Sequence, residues 1–193
     1  MKELQFHDIY FLDQKKKCAN TVVQKNGENG SGEMLRYDVA PGIQITYNNL
    51  NMDSCYSPII PEQDFLQIDH CLEGGYECEL AGGIVSFLGE GDLSVSSLCK
   101  GQQLFIGSRI PLKKYRGITV LLEMEMAQDT LNADFRQADI NLRKIKDILC
   151  GEGRSLLIKS KHEVDHIFGE LYHVDERIWY PYFWIKVIEL LLF

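Results

Sequence analysis

From Val39 to Glu125 apolar and polar residues alternate in short runs broken by glycine turns. Ile43, Ile45 and Tyr47 alternate with polar neighbours, as do Leu66, Ile68, His70 and Leu72. Period-two alternation predicts strands with one apolar face. Tyr76, Cys78 and Leu80 continue the pattern, with Glu77 and Glu79 on the opposite, solvent-facing side. Ala81, Gly82 and Gly83 then interrupt it before Ile84 to Leu88, which reads as a β-hairpin. A second turn at Gly89-Glu90-Gly91-Asp92 leads into Leu93 to Leu98, and Gly117 to Glu123 has high β-propensity. Six or more short strands without intervening helices predict an antiparallel closed or double-sheet barrel. A parallel sheet would need helical crossovers, and the pattern offers none.

Further along the chain the period changes. Leu142, Ile145 and Leu149 lie three and four apart, with Asp139 as the expected cap and Gly151 as the stop. Ser160 and Glu163 form a candidate capping box ahead of Val164, Ile167, Phe168, Leu171 and Tyr172, an apolar stripe at helical spacing. Pro181 ends or restarts that helix, and a last one runs from Tyr182 with no stop signal before Phe193. The expected division is an arm and flexible glycine-bearing loop over 1–38, a barrel over 39–125 and a helical region over 126–193. The fold class is mainly β with C-terminal helices.

Charge narrows the possible partners. Twenty basic and twenty-eight acidic residues leave a net charge of −8, and the one dense basic run is Lys15-Lys16-Lys17. Such a surface opposes contact with phosphate backbones. The N-terminus lacks an apolar signal core and no apolar run could span a bilayer, so a cytoplasmic protein without a membrane partner is expected. Cys18, Cys55, Cys71, Cys78, Cys99 and Cys150 show no zinc-knuckle spacing and are expected as free thiols.

Several stretches, taken in order, resemble the N-terminal region of AraC/XylS-type transcription regulators. They are Pro41 to Asn48, Ile68 to Gly74, Tyr76 to Leu80, Gly89 to Leu93, Ile110 to Leu112, Tyr115 to Ile118, His166 to Tyr172 and Lys186 to Phe193. The resemblance implies a cupin-like barrel that binds a small-molecule effector, followed by helices that form a homodimer. It also implies helix-turn-helix units after residue 193, so that DNA would be bound only by a segment outside this chain. Together with the missing stop signal, it makes the chain an expected fragment cut at a domain boundary.

Candidate site residues follow from the barrel. His70 shares its strand face with Leu66, Ile68 and Leu72, expected to be the inner face. It reads either as a core histidine or as a polar anchor in an apolar pocket. Tyr76 is a similar case, and Cys78 lies on the same expected face. The helical stripe Val164, Ile167, Phe168, Leu171 and Tyr172 is the expected dimer interface. The aromatic cluster Trp179 to Trp184 should face either the barrel or a second subunit.

An enzymatic alternative is a cupin-fold enzyme, or a binding protein that never touches DNA, for a small sugar or acid. The metal pattern of cupin enzymes needs a second histidine two residues after the first. Here Leu72 stands there, so no metal and no cofactor are expected. No serine elbow or phosphate-binding loop appears. Asp64 with Asp69 could be imagined as paired carboxylates. His162 and His166, one turn apart without a third ligand, read as a solvated helix face.

Overall fold

The computed structural model describes residues 20–27, 30–54, 60–151, 155–159 and 162–193. Its strands are β1 (Asn20–Gly27), β2 (Gly30–Ala40), β3 (Ile43–Met52), β4 (Phe65–Leu80), β5 (Ile84–Gly89), β6 (Leu93–Leu98), β7 (Phe105–Arg109), β8 (Tyr115–Glu123) and β9 (Ser155–Ile158). The helices are α1 (Met124–Asp134), α2 (Leu142–Cys150), α3 (His162–Leu171) and α4 (Trp179–Leu192). Every strand pair is antiparallel. A large sheet runs β1-β2-β3-β8-β4-β6-β9, while β5 and β7 flank the second half of β4 as a small sheet. This is the mainly antiparallel double-sheet barrel with C-terminal helices that the strand pattern predicts.

One strand joins the two sheets. β4 is 16 residues long, with a register shift between Cys71 and Glu73 where it leaves β8. Gly74 follows at φ 79°, and a Cβ there would sit 1.9 Å from the Lys114 carbonyl oxygen. Only glycine permits both the left-handed backbone and that close approach. An extra residue in one strand bends it and swaps which side chains face inward. Before the bulge the odd-numbered residues face the small sheet, and after it the even-numbered ones do.

The apolar stripes of the large sheet face outward. Ile43 and Ile45, Leu66 and Ile68, and Ile118, Val120 and Leu122 form one core with Leu131, Leu142, Ile167, Phe168 and Phe183 of the helices. Covering that face buries the main hydrophobic surface of the molecule. The opposite face, between the two sheets, carries small apolar clusters towards its two ends. Leu50, Met52, Cys71 and Tyr115 belong to one of them, and Phe65, Leu98 and Leu121 to the other.

Local chemistry places the helices. Glu123 ends β8 and caps α1, its carboxylate accepting from the Glu125 and Met126 amides at 3.2 and 3.1 Å. Asn141, rather than the expected Asp139, caps α2 by accepting from the Lys144 amide at 2.9 Å. Asp139 instead occupies a left-handed turn at φ 49°, a conformation its short polar side chain tolerates. Pro181 falls in the first turn of α4, not before it, where a missing amide proton costs no helical hydrogen bond.

Two further expectations need correction. The stretch from Lys25 to Glu33 is not a loop: its described parts end β1 and begin β2, with Gly27 opposite Gly30. Gly30 is required because a Cβ would lie 2.1 Å from the Asn51 carbonyl oxygen. The helical region also returns a strand to the barrel, since β9 pairs with β6. The Ser160 end of the expected capping box lies outside the described residues, as do Cys18 and Cys55. Among the described residues, no helix is long and apolar enough to cross a membrane.

Candidate functional site: a polar band inside the barrel

Between the apolar clusters the inner face of the large sheet is polar. Arg36, Thr46, Thr119, Asp69 and Ser94 stand opposite one another on five successive strands, β2, β3, β8, β4 and β6. All five are buried. So are Asn48, Gln67 and Ser96 on the same face. Burying polar groups is unfavourable unless they are hydrogen-bonded, so a band this wide calls for a network.

Asp69 is its centre, at 2% exposure. Thr119 Oγ1 donates to Asp69 Oδ1 at 2.7 Å, and Gln67 Nε2 and Ser94 Oγ donate to Oδ2 at 2.8 and 3.4 Å. Tyr76 also acts on this carboxyl, favouring its ionised form. Asn48 Nδ2 donates in turn to Thr119 Oγ1 at 3.0 Å. Burial pushes Asp69 above the ordinary carboxyl range, and these hydrogen bonds offset that only in part. Arg36 stands three strands away, on the order of 14 Å, with its guanidinium 3.5 Å from Asp38.

The band opens into a small cavity of about 10 Å³, room for roughly one water. Tyr76, Cys78 and Leu88 line it from the small sheet, and Ser94, Ser96 and Ser155 from the large one. Ser155 belongs to β9, and its hydroxyl meets that of Ser96 at 2.8 Å. The helical half therefore supplies part of the cavity wall. Burial, with Asp69 and Cys78 nearby, holds the Tyr76 phenol well above its usual range.

Of the residues singled out from the sequence, Tyr76 and Cys78 line this cavity and His70 does not. His70 precedes the bulge in β4 and faces the helices. Its ring stacks on Phe168 at 4.3 Å with 6° between planes, and Nδ1 lies 3.3 Å from the Tyr172 hydroxyl. Burial lowers its pKa from 6.5 to about 4, so it is neutral near pH 7. The core reading of His70 describes its place, and it cannot anchor a ligand inside the barrel.

The expected dimer stripe is likewise turned inward. Val164, Ile167, Phe168 and Leu171 are buried in this chain's own core, and half-buried Tyr172 packs against it. They cover the barrel rather than a second copy. Of the aromatic cluster, Trp179 and Phe183 pack on Tyr37 at 4.9 and 5.1 Å. The barrel is the partner of those two rings, while Trp184 packs on Phe135 at 5.5 Å. His166 sits half-exposed, 3.1 Å from Glu189. Asp64 is exposed and bonds the Lys100 amide, well apart from Asp69. Among the described residues no group of three His, Cys, Asp or Glu side chains is placed to hold a metal.

Asn48, Thr119 and Ser94 were not anticipated. Each was a polar position in an alternating strand, and such positions usually face water. Here helices cover one face of the sheet and a second sheet covers the other.

No family model matches the chain, and no curated protein matches it either. Solved structures similar to it include ToxT from Vibrio cholerae strain SCE256 with an unsaturated fatty acid bound. That match has 13% identity and a TM-score of 0.48 over 84% of this chain and 53% of that one. KdgF from Halomonas sp. is similar at 18% identity and TM-score 0.41, over 52% of this chain and 86% of that one. The AraC-like transcriptional activator CuxR is similar at 13% identity and TM-score 0.46, over 75% of this chain and 45% of that one. The chain thus spans about half the length of ToxT and CuxR.

Proposed function

We propose that this chain is the effector-binding and dimerising part of an AraC-type transcription regulator. A small molecule enters the barrel, and a segment outside these 193 residues contacts DNA. The observation that carries the reading is the cavity wall. Ser94 and Ser96 belong to the barrel, but Ser155 belongs to the strand between α2 and α3. A ligand touching that wall has a differential interaction with the position of the helices, which is the requirement for coupling two sites. The net charge of −8 supports placing DNA contact elsewhere. The barrel is read as non-enzymatic because His70, its best sequence candidate for metal chemistry, faces the helices.

The dimer surface in this reading is the free face of α4. Ile178, just before the helix, and Ile185 and Leu192 on it are 47%, 61% and 60% exposed and lie seven residues apart. That spacing suits a helix pairing with a second copy of itself. Fusing residues 1–193 to a monomeric DNA-binding domain whose operator requires a dimer tests the whole reading. The fusion should repress a reporter, and Ile185→Asp should abolish repression while leaving the fold intact. A fusion that stays monomeric in sedimentation and never represses would sink the proposal.

A further inference from the structure

A cavity this small admits no effector, so a wall of the barrel has to move before a ligand can reach the polar band. The walls are not held equally. β4 and β8 pair from Phe65 to Gly74, and helices cover their outer side. β5 pairs with β4 from Ile84 to Gly89 and buries Leu88 in an apolar cluster. β7 is held at its two ends, where Phe105 packs on one apolar cluster and the following Ile110 is buried in the other. β9 is four residues long, and all four are half-buried. Among the described residues it ends the large sheet, with its other edge unpaired.

The joint between β6 and β9 is also lined with hydroxyls. On its inner side Ser94 stands opposite Leu157, and Ser96 opposite Ser155. Ser96 and Ser155 meet hydroxyl to hydroxyl at 2.8 Å, a contact that water replaces at small cost. The charged pin beside it, Lys159 on Asp92, has a lysine 69% exposed, and such pairs hold weakly. Segments with few buried apolar contacts are where local opening is cheapest. β9 is tied to the helices as well, since α3 begins after a link of only three residues, 159–161. We infer that β9 is a strap: it leaves β6 without unfolding of the rest, opens the barrel at Ser94, Ser96 and Cys78, and pulls on α3. This rests on the ligand-sensing reading above and adds to it the gate and the element that carries the signal.

Cys78 is a native reporter, because it lines the same cavity as Ser96 and Ser155 and is buried while the strap is shut. The test uses the full chain. In hydrogen exchange read by mass spectrometry, the β9 amides should exchange about tenfold or more faster than those joining β4 to β8. Sub-denaturing urea should speed the β4–β8 amides and leave β9 unchanged, because a local opening exposes little surface. Alkylation of Cys78 by iodoacetamide should show the same indifference to urea. Ser96→Cys combined with Ser155→Cys, with the 96–155 bridge verified by peptide mapping, should slow Cys78 alkylation about tenfold or more. Reduction should restore the rate, and half-exposed Cys99 should react alike in both states. β9 amides that exchange in step with β4–β8, with the same response to urea, overturn the inference, and that result requires no variant. Cys78 alkylation unmoved by the bridge overturns it too, by placing the opening in another wall. Either outcome leaves ligand sensing standing. A strap that opens in a chain whose fusion never represses would instead sink the regulator reading and keep the strap.

Discussion

The two faces of the large sheet solve opposite problems with neighbouring residues. On the outer face His70 lies flat against Phe168 in an apolar core. On the inner face Asp69, one residue earlier, sits in a ring of hydrogen-bond donors. The outer face holds the fold together through area removed from water. The inner face contributes little net burial energy, because each polar contact replaces one with water. A sheet that keeps polar groups inside at such small gain is arranged for something other than stability.

Substitutions should separate the faces by size of effect. Phe168→Ala removes a ring with no measurable exposure from the outer core. It should cost about 3–5 kcal/mol, enough to unfold a marginal domain, as read by urea denaturation. A loss below about 1 kcal/mol would mean that α3 does not hold the barrel. Thr119→Ala on the inner face should cost about 1–3 kcal/mol, because it strands Asp69 and Asn48 together. Thr119→Ser restores the hydroxyl and should recover most of that loss.

The pH dependence distinguishes the faces by sign. Folding lowers the pKa of His70 from 6.5 to about 4. Its contribution to stability is therefore complete above pH 6.5 and lost as pH falls towards 4. Folding raises the pKa of Asp69 above 3.8. Its contribution is complete below 3.8 and is lost as pH rises through the higher folded value. His70→Gln should flatten the acid limb of the stability curve, and Asp69→Asn should flatten the opposite slope. Identical curves for both variants would show that neither face resists charge.

The smallest effect belongs to the rim. Lys159 pairs with Asp92 at 2.6 Å, but its side chain is 69% exposed. Lys159→Ala should change stability by less than about 1 kcal/mol, and the change should shrink in salt. A larger loss in thermal melts would show that this pair pins β9 to the turn before β6.

The strand pattern made the barrel legible because alternation survives whichever face is buried. It could not say which face was the inside. Ile43, Ile45, Leu66 and Ile68 looked like an inner lining and are the seat of the helices. The bulge after Cys71 was also invisible, since no residue type announces a register shift. His70 and Tyr76, both even-numbered, therefore seemed to share a face that only Tyr76 reaches. Asp69 was visible as a carboxylate, but two of its partners come from β6 and β8, 25 and 50 residues away. The stripe on α3 was expected to meet a second copy and instead packs on this chain's own barrel, a question of tertiary contact that periodicity does not decide.

β9 also bears on how the molecule assembles. Ser155 pairs with a serine 59 positions earlier, so the flank of β6 stays bare until synthesis has passed the second helix. In that interval the nascent chain carries an open edge, the kind of surface that captures other chains. A truncation at Glu125, where the strand pattern ends the barrel, would make that interval permanent. Such a product should collect in inclusion bodies, whereas cuts beyond Ile158 keep the edge closed. For anyone grafting this barrel onto another protein, the usable joint lies after α4, since α3 and α4 also cover the outer face.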